Sequence, residues 1–269
     1  VAREGTGPEF IEALARGLEV IAAFEPARPE MSLTDVASAT GLSRPTVRRI
    51  LLTLQELGYA RPTDGRFVLT PRVLDLGMAY VSSMGLWEVA RPHMQELVAK
   101  VDESVSIAQL DGSDIVYVAR VAIPKIVALR VELGTRFPAL ATSLGKVLLA
   151  ALPAEELDRT LAEPTRSGLV PRWQPGAEER DAVLREVRAR GWAVTDQDLA
   201  LGIRSVAVPL RDGEGRVIAA LNVNSHAAET SMETITEEYL PLLLHTAGAI
   251  SAYFARVSAL PRVDGSAAG

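Results

Sequence analysis

What most constrains this 269-residue chain is one stretch, SLTDVASATGLSRPTVRRILLTLQELG, which runs from Ser32 to Gly58. Ser32 and Asp35, three residues apart, form a capping-box pattern that opens a helix running to about Thr40. Gly41 then supplies a tight turn, Leu42 an apolar plug and Ser43 a second N-cap, and Gly58 stops the helix that follows. Two short helices about a glycine turn predict a helix-turn-helix. A preceding helix is expected to close its core: Phe10, Ile11, Leu14, Leu18, Ile21 and Ala22 recur at spacings of mostly three and four within 10–24, and Pro26 and Pro29 end the pattern.

Charge distribution gives this motif its chemistry. The whole chain carries a net charge of −6, which alone argues against a nucleic-acid partner, but the average hides an asymmetry. Residues 1–40 hold three Arg against seven acidic residues, whereas residues 41–72 hold six Arg against Glu56 and Asp64, a net +4. In the second helix of the motif Val47, Ile50, Leu51 and Leu54 face a core, while Ser43, Arg44, Thr46, Arg48 and Arg49 form or flank the other surface near its start. That is where a recognition helix meets base edges, where an arginine can bond bidentately to guanine, and where free helix amides suit a phosphate. Further on, Thr63-Asp64-Gly65 predicts a hairpin turn between Tyr59–Arg61 and Arg66–Leu69, a wing with Arg61 and Arg66 near its tip for phosphate or minor-groove contact. A plain three-helix domain with a solvated arginine face would not need turn glycine, capped basic helix and basic wing in this order.

The length predicts about two domains. With 48% hydrophobic and 23% charged residues the chain is an ordinary globular protein, not a disordered or collagen-like one. The absence of cysteine removes disulfide frameworks, thiol nucleophiles and Cys-ligated metals, and fits a reducing cytoplasm. Residues 1–8 show no signal-peptide pattern, and the longest uncharged run, Tyr239–Ala255, contains Pro241, His245, Thr246 and Ser251, so it reads as a packed helix and no membrane association is expected.

Beyond the wing, Val73, Leu74, Leu76, Gly77, Tyr80 and Val81 make a helical stripe, read as a linker helix over 73–85 between the winged domain at 9–72 and a second domain at 86–257; residues 258–269 are expected to be a disordered tail. The second domain predicts helices at 86–101, 144–152, 154–162, 177–190 and 233–257, and strands at 104–110, 115–121, 126–132, 192–195, 203–210 and 216–224, an α+β mixture around an antiparallel sheet. Polar residues inside apolar strands mark a ligand pocket. Asn222 and Asn224 share one strand face, Ser205 and Thr195 add hydroxyls, and Arg130 could hold a carboxylate, with Arg136 and Arg204 as rivals.

Enzymatic signatures are incomplete. Ser143-Leu-Gly-Lys146 matches the S-x-x-K pattern of serine β-lactamases and penicillin-binding proteins, but S-D-N and K-T-G are missing, since the three lysines are followed by Val-Asp, Ile-Val and Val-Leu. His93, His226 and His245 form no H-E-x-x-H, though His226 could meet Asp196 or Asp198 in space, and no G-x-G-x-x-G or Walker A loop occurs. No catalytic residue, metal or cofactor is expected.

The segments ARGLEVIAAF, LTDVASATGLSRPTVRRILLTLQELGYA, GRFVLTPRVLDLGMAYVSS, ATSLGKVLLA and GWAVTDQDLALGIRSVAVPLRD together resemble the IclR family of bacterial transcription regulators over about residues 9–256. Within it the wording is most similar to regulators of the β-ketoadipate pathway, which respond to protocatechuate or 4-hydroxybenzoate. The resemblance implies a GAF- or PAS-like effector domain whose pocket maps onto Thr142, Ser143, Thr195, Ser205, Asn222 and Asn224. A single winged domain buries too little surface for tight specific binding, so a homodimer with paired recognition helices on a palindromic operator in double-stranded DNA is expected; the resemblance adds a dimer of dimers as an alternative and an aromatic or short carboxylic acid as effector. This sequence has Thr, Ser and Asn where other members carry Asp, Cys or Ser, which leaves the effector's identity open.

Overall fold

The computed structural model describes residues 7, 9–25, 27–76, 86–124 and 131–258. The chain divides into two compact units, Val1–Ser83 and Met84–Gly269.

In the first unit, helices α1 (Glu12–Ala22), α2 (Leu33–Thr40) and α3 (Arg44–Glu56) enclose Val20, Val36, Val47, Leu51 and Leu54. The capping box forms at α2: the Asp35 amide donates to Ser32 Oγ at 3.2 Å and the Ser32 amide to Asp35 Oδ2 at 2.8 Å. Gly41, with φ at 69°, occupies the left-handed region where glycine is favoured, so the turn into α3 is unstrained. Strands β2 (Ala60–Thr63) and β3 (Arg66–Leu69) pair through Thr63↔Arg66 across the two-residue loop Asp64–Gly65, both at positive φ as a type I′ turn requires. A two-residue strand, β1 (Glu30–Met31), pairs with β3 and makes the sheet three-stranded. Two residues are too few to carry an alternation signal, so the sequence pattern does not reveal it.

Helix α1 differs from expectation in what it buries. Val20 is fully buried, but Phe10, Ile11, Leu14 and Leu18 are 40, 65, 60 and 54% exposed. Most of the expected apolar stripe, Leu14 and Leu18 on α1 with Phe10 and Ile11 just before it, therefore faces outward. Residues 73–76 are helical, and the remainder of the expected linker helix, 77–85, lies outside the described residues, as does the expected tail from 259 onward.

The second unit is α+β. Helix α4 (Leu86–Val101) precedes the hairpin β4 (Ser104–Asp111) and β5 (Asp114–Val121), then β6 (Arg136–Pro138) and a 3-10 turn, Ala139–Ala141. Helices α5 (Ser143–Ala150), α6 (Ala154–Ala162) and α7 (Ala177–Arg190) lead to β7 (Ala193–Asp196), β8 (Ile203–Arg211) and β9 (Val217–His226). The last helical segment starts at Met232–Thr234, passes through a π-turn at Ile235–Tyr239 and continues as α8 (Leu240–Ser258), where the sequence pattern predicts a single uninterrupted helix. All pairings of the six-stranded sheet, ordered β6-β5-β4-β9-β8-β7, are antiparallel. The expected strand over 126–132 falls mostly outside the described residues, and Val131 and Glu132 are not in a strand.

Alternation sends the two sheet faces to different partners. Val105, Ile107, Val206, Val208, Leu221 and Val223 join a core with residues of α4 and α8. Ala108, Ala193, Ala207 and Ala220 face the other way and pack with α5, all eight of whose residues are buried. Alanines on this face let the helix approach closely. At one end of the same face the alanines give way to polar residues.

Candidate functional site

Register places those polar residues in two rows. Ser104 opposes Asn224, Asn224 opposes Ser205 and Ser205 opposes Thr195, one row across β4, β9, β8 and β7. Arg120, Ser106 and Asn222 form the next row across β5, β4 and β9. The rows form the floor of a cavity of about 60 Å³ as counted by water centres, several times the roughly 10–15 Å³ that one water needs. Tyr117, Val131, Phe137, Leu199 and Ile203 supply apolar walls, and the Tyr117 and Phe137 rings meet edge to face at 5.8 Å.

The expected pocket residues Thr142, Thr195, Ser205, Asn222 and Asn224 all line this one cavity. Thr142 is also the N-cap of α5, accepting from the Gly145 amide at 2.9 Å. Ser143 lies behind the floor, where its Oγ is 2.7 Å from Ser205 Oγ, which is in turn 2.8 Å from Thr195 Oγ1. Asn222 donates from Nδ2 to Asn224 Oδ1 at 3.1 Å, and its own Oδ1 is buried without a hydrogen-bond partner among the described residues. A buried amide oxygen that faces a cavity can accept from a donor placed there.

Arg130 lies outside the described residues. Of its rivals, Arg204 is held by Asp196, at 2.7 Å through Nε, and by the carbonyls of Ala227 and Thr230. That pairing keeps the Asp196 carboxyl below its ordinary value. Arg136 pairs with Asp111 and does not line the cavity. The guanidinium in the cavity is that of Arg120, half-buried and bonded through Nη1 to Ser106 Oγ at 3.0 Å, with no carboxylate ion pair among the described residues. Burial lowers its pKa from the ordinary arginine value. Beside it burial pushes the Tyr117 phenol up to about 12, opposed by the Arg120 charge and the hydrogen bond with Asn224. Sequence reasoning missed both residues. A signal exists: in the apolar run Ile115–Val121, Arg120 is the lone charged residue, but a bulge at Ile107/Ala108 breaks the alternation that would have put it on the cavity face.

On the first unit, Arg48 and Arg49 are exposed and make no side-chain hydrogen bond or ion pair among the described residues. They differ in direction, since Arg49 and Thr46 border the groove between α1 and α3. Ser43 is the N-cap of α3 by its backbone, but its hydroxyl bonds to Thr46 Oγ1 at 2.9 Å and not to a helix amide. Arg44 is tied to Thr34 Oγ1 of α2. On the wing, Arg61 bonds Thr63 Oγ1 at 3.0 Å, and Arg66 folds back to the Glu30 carbonyl at 3.2 Å and to Asp35 at 3.7 Å. His226 accepts from the Ala228 amide at Nδ1, and no metal-binding cluster occurs among the described residues.

A winged helix-turn-helix followed by an α+β domain with a small-molecule cavity defines a one-component, ligand-responsive transcription regulator. Residues 13–64 match the model of the IclR helix-turn-helix domain, and residues 78–252 match that of the bacterial transcriptional regulator IclR C-terminal domain, so the chain belongs to the IclR family. It is similar to the Pca regulon regulatory protein of Pseudomonas putida, 39% identical over 88% of this chain and 82% of that protein. Among solved structures, a transcriptional regulator from Rhodococcus sp. RHA1 is 46% identical over 92% of this chain and all of the other, with a TM-score of 0.80. An IclR homolog from Microbacterium hydrocarbonoxydans, crystallised with 4-hydroxybenzoate, is 25% identical over 91% of this chain and 99% of the other, with a TM-score of 0.77. The family consists of regulators, and in the S-x-x-K spacing Ser143 bonds to Ser205 and Lys146 to Asp198.

Proposed function

We propose that the chain is a cytoplasmic regulator of aromatic-acid catabolism that binds a small ring carboxylate in the sheet-face cavity and a palindromic operator through paired α3 helices. The observation that carries the ligand reading is the half-buried Arg120 guanidinium, free of any carboxylate ion pair among the described residues, beside the Tyr117 and Phe137 rings. A carboxylate would pair with Arg120 while its ring lies against the apolar walls. The open Asn222 Oδ1 and the Thr195–Ser205 hydroxyls suit a ring hydroxyl. That a relative was crystallised with 4-hydroxybenzoate supports this class of ligand. Arg48 and Arg49, whose side chains make no hydrogen bond or ion pair among the described residues, are the cations proposed to meet DNA, and Ser43, Arg44, Thr46, Arg61 and Arg66 complete the proposed interface. Ligand binding changes operator affinity by favouring one dimer geometry over another.

The test is calorimetric titration with 4-hydroxybenzoate, protocatechuate, β-ketoadipate, pyruvate and glyoxylate, on the parent chain and on Arg120→Gln. Loss of a charge-assisted hydrogen bond predicts a drop in affinity of about 10- to 100-fold for a ring acid. A chain that binds only an aliphatic acid, or an Arg120→Gln variant that binds ring acids unchanged, would refute the ligand reading. In parallel, operator affinity against salt should lose about one unit of slope in Arg48→Ala.

A further inference from the structure

Ser143 and Lys146, one turn apart on α5, reach two different parts of the cavity wall. Ser143 bonds to the floor through Ser205. Lys146 is only 4% exposed, its Nζ is 2.5 Å from Asp198 Oδ2 and it lies 4.2 Å from the centroid of the Trp173 ring. Trp173 closes the arrangement by donating its backbone N–H to the Asp198 carbonyl at 2.9 Å. Asp198 belongs to the β7–β8 loop, residues 197–202, which together with Ile203 gives the cavity Leu199 as a wall.

This loop is held in a demanding shape. Gln197 has φ at 64° and Gly202 at 80°, and a Cβ on Gly202 would come within 2.7 Å of His226 Nε2. The loop is closed across its ends, with the Gly202 amide donating to the Gln197 side-chain Oε1 at 3.0 Å and the Gln197 amide to the Ile203 carbonyl at 2.7 Å. Left-handed backbone at a non-glycine residue persists only where the surroundings over-determine it. Lys146 provides the ion pair that ties the loop to the buried helix. A methionine would fill the same space without the cost of desolvating an ammonium, so the charge is explained by what it fixes in place.

We infer that Lys146 is a positioning residue for the ligand cavity: through Asp198 and Trp173 it clamps the β7–β8 loop as a wall and sets how long a bound molecule is retained. The inference rests on the ligand reading of the cavity. It is tested with Lys146→Met and, to leave no unpaired charge, with Lys146→Met combined with Asp198→Asn. Amide hydrogen exchange is followed at residues 198–203 and in β4 and β9, and 4-hydroxybenzoate serves as the probe for association and release by tryptophan fluorescence. A clamp predicts exchange at 198–203 rising about tenfold or more with β4 and β9 unchanged, and probe release faster by about tenfold at an unchanged association rate. Unchanged loop exchange, or exchange rising equally across the sheet, overturns it. Should the parent chain not bind the probe, the ring-acid reading fails, and the exchange measurement alone decides the clamp.

Discussion

At the scale of single residues, the cavity is defined by what its polar groups lack. Asn222 Oδ1 has no donor and Arg120 no carboxylate among the described residues, although each also makes one internal hydrogen bond that fixes its orientation. Tyr117 lies between them in chemistry, a phenol kept neutral by burial. Its raised pKa has a stated sign: the neutral form is favoured in the fold, so the contribution is complete below the ordinary tyrosine value near 10 and is lost as pH rises through about 12. Alkaline absorbance titration should therefore show a last tyrosine step near 12 that is absent from Tyr117→Phe. A bound carboxylate would add negative charge beside the phenol and move that step higher still. If Tyr117→Phe leaves the titration curve unaltered, the phenol is not buried as described.

At the scale of elements, Gly145 shows how closely α5 and the turn before it are fitted. A Cβ there would lie 2.0 Å from the backbone oxygen of Ala139, so Gly145→Ala must displace the Ala139–Ala141 turn, which bears the cavity residue Ala141 and leads directly into Thr142. Overpacking of this kind predicts a loss of about 2–3 kcal/mol or more, measurable by denaturant unfolding, together with weaker ligand binding. An unchanged midpoint would mean that the turn yields freely. Most elements were legible in the sequence because their signals are local. The α2 capping box, the Gly41 turn, the Asp64–Gly65 hairpin and the alternating β4 and β5 each occupy fewer than ten residues of pattern. What was missed depends on distant partners: β1 exists only because β3 passes beside it, and β6 pairs with β5 over just three residues. The site was half legible for the same reason. Two asparagines on one strand face announce themselves, whereas Arg120 joins them only through a sheet register that a bulge displaces.

At the scale of the whole molecule, the exposed apolar residues at the start of α1 are a feature that a single chain leaves unexplained. Phe10 and Ile11 just before α1 and Leu14 and Leu18 on it are all at least 40% exposed, an apolar patch at the start of the helix. A second copy would cover this patch most simply, since a two-fold interface presents the same surface from both sides and a palindromic operator demands the same symmetry. The patch supplies only part of the roughly 800 Å² per partner of a standard interface, so the contact must extend beyond α1. Replacing Leu14 and Leu18 together by Glu should weaken self-association without unfolding the domain, because neither side chain is in the buried core. If a second copy covers the patch, light scattering should report two chains for the parent and one for the variant. Affinity for a full palindrome should fall while affinity for an isolated half-site stays unchanged, because each α3 helix keeps its own surface. Equal loss on both DNAs would place the damage in the domain itself, and no change in mass would assign the patch to some other partner.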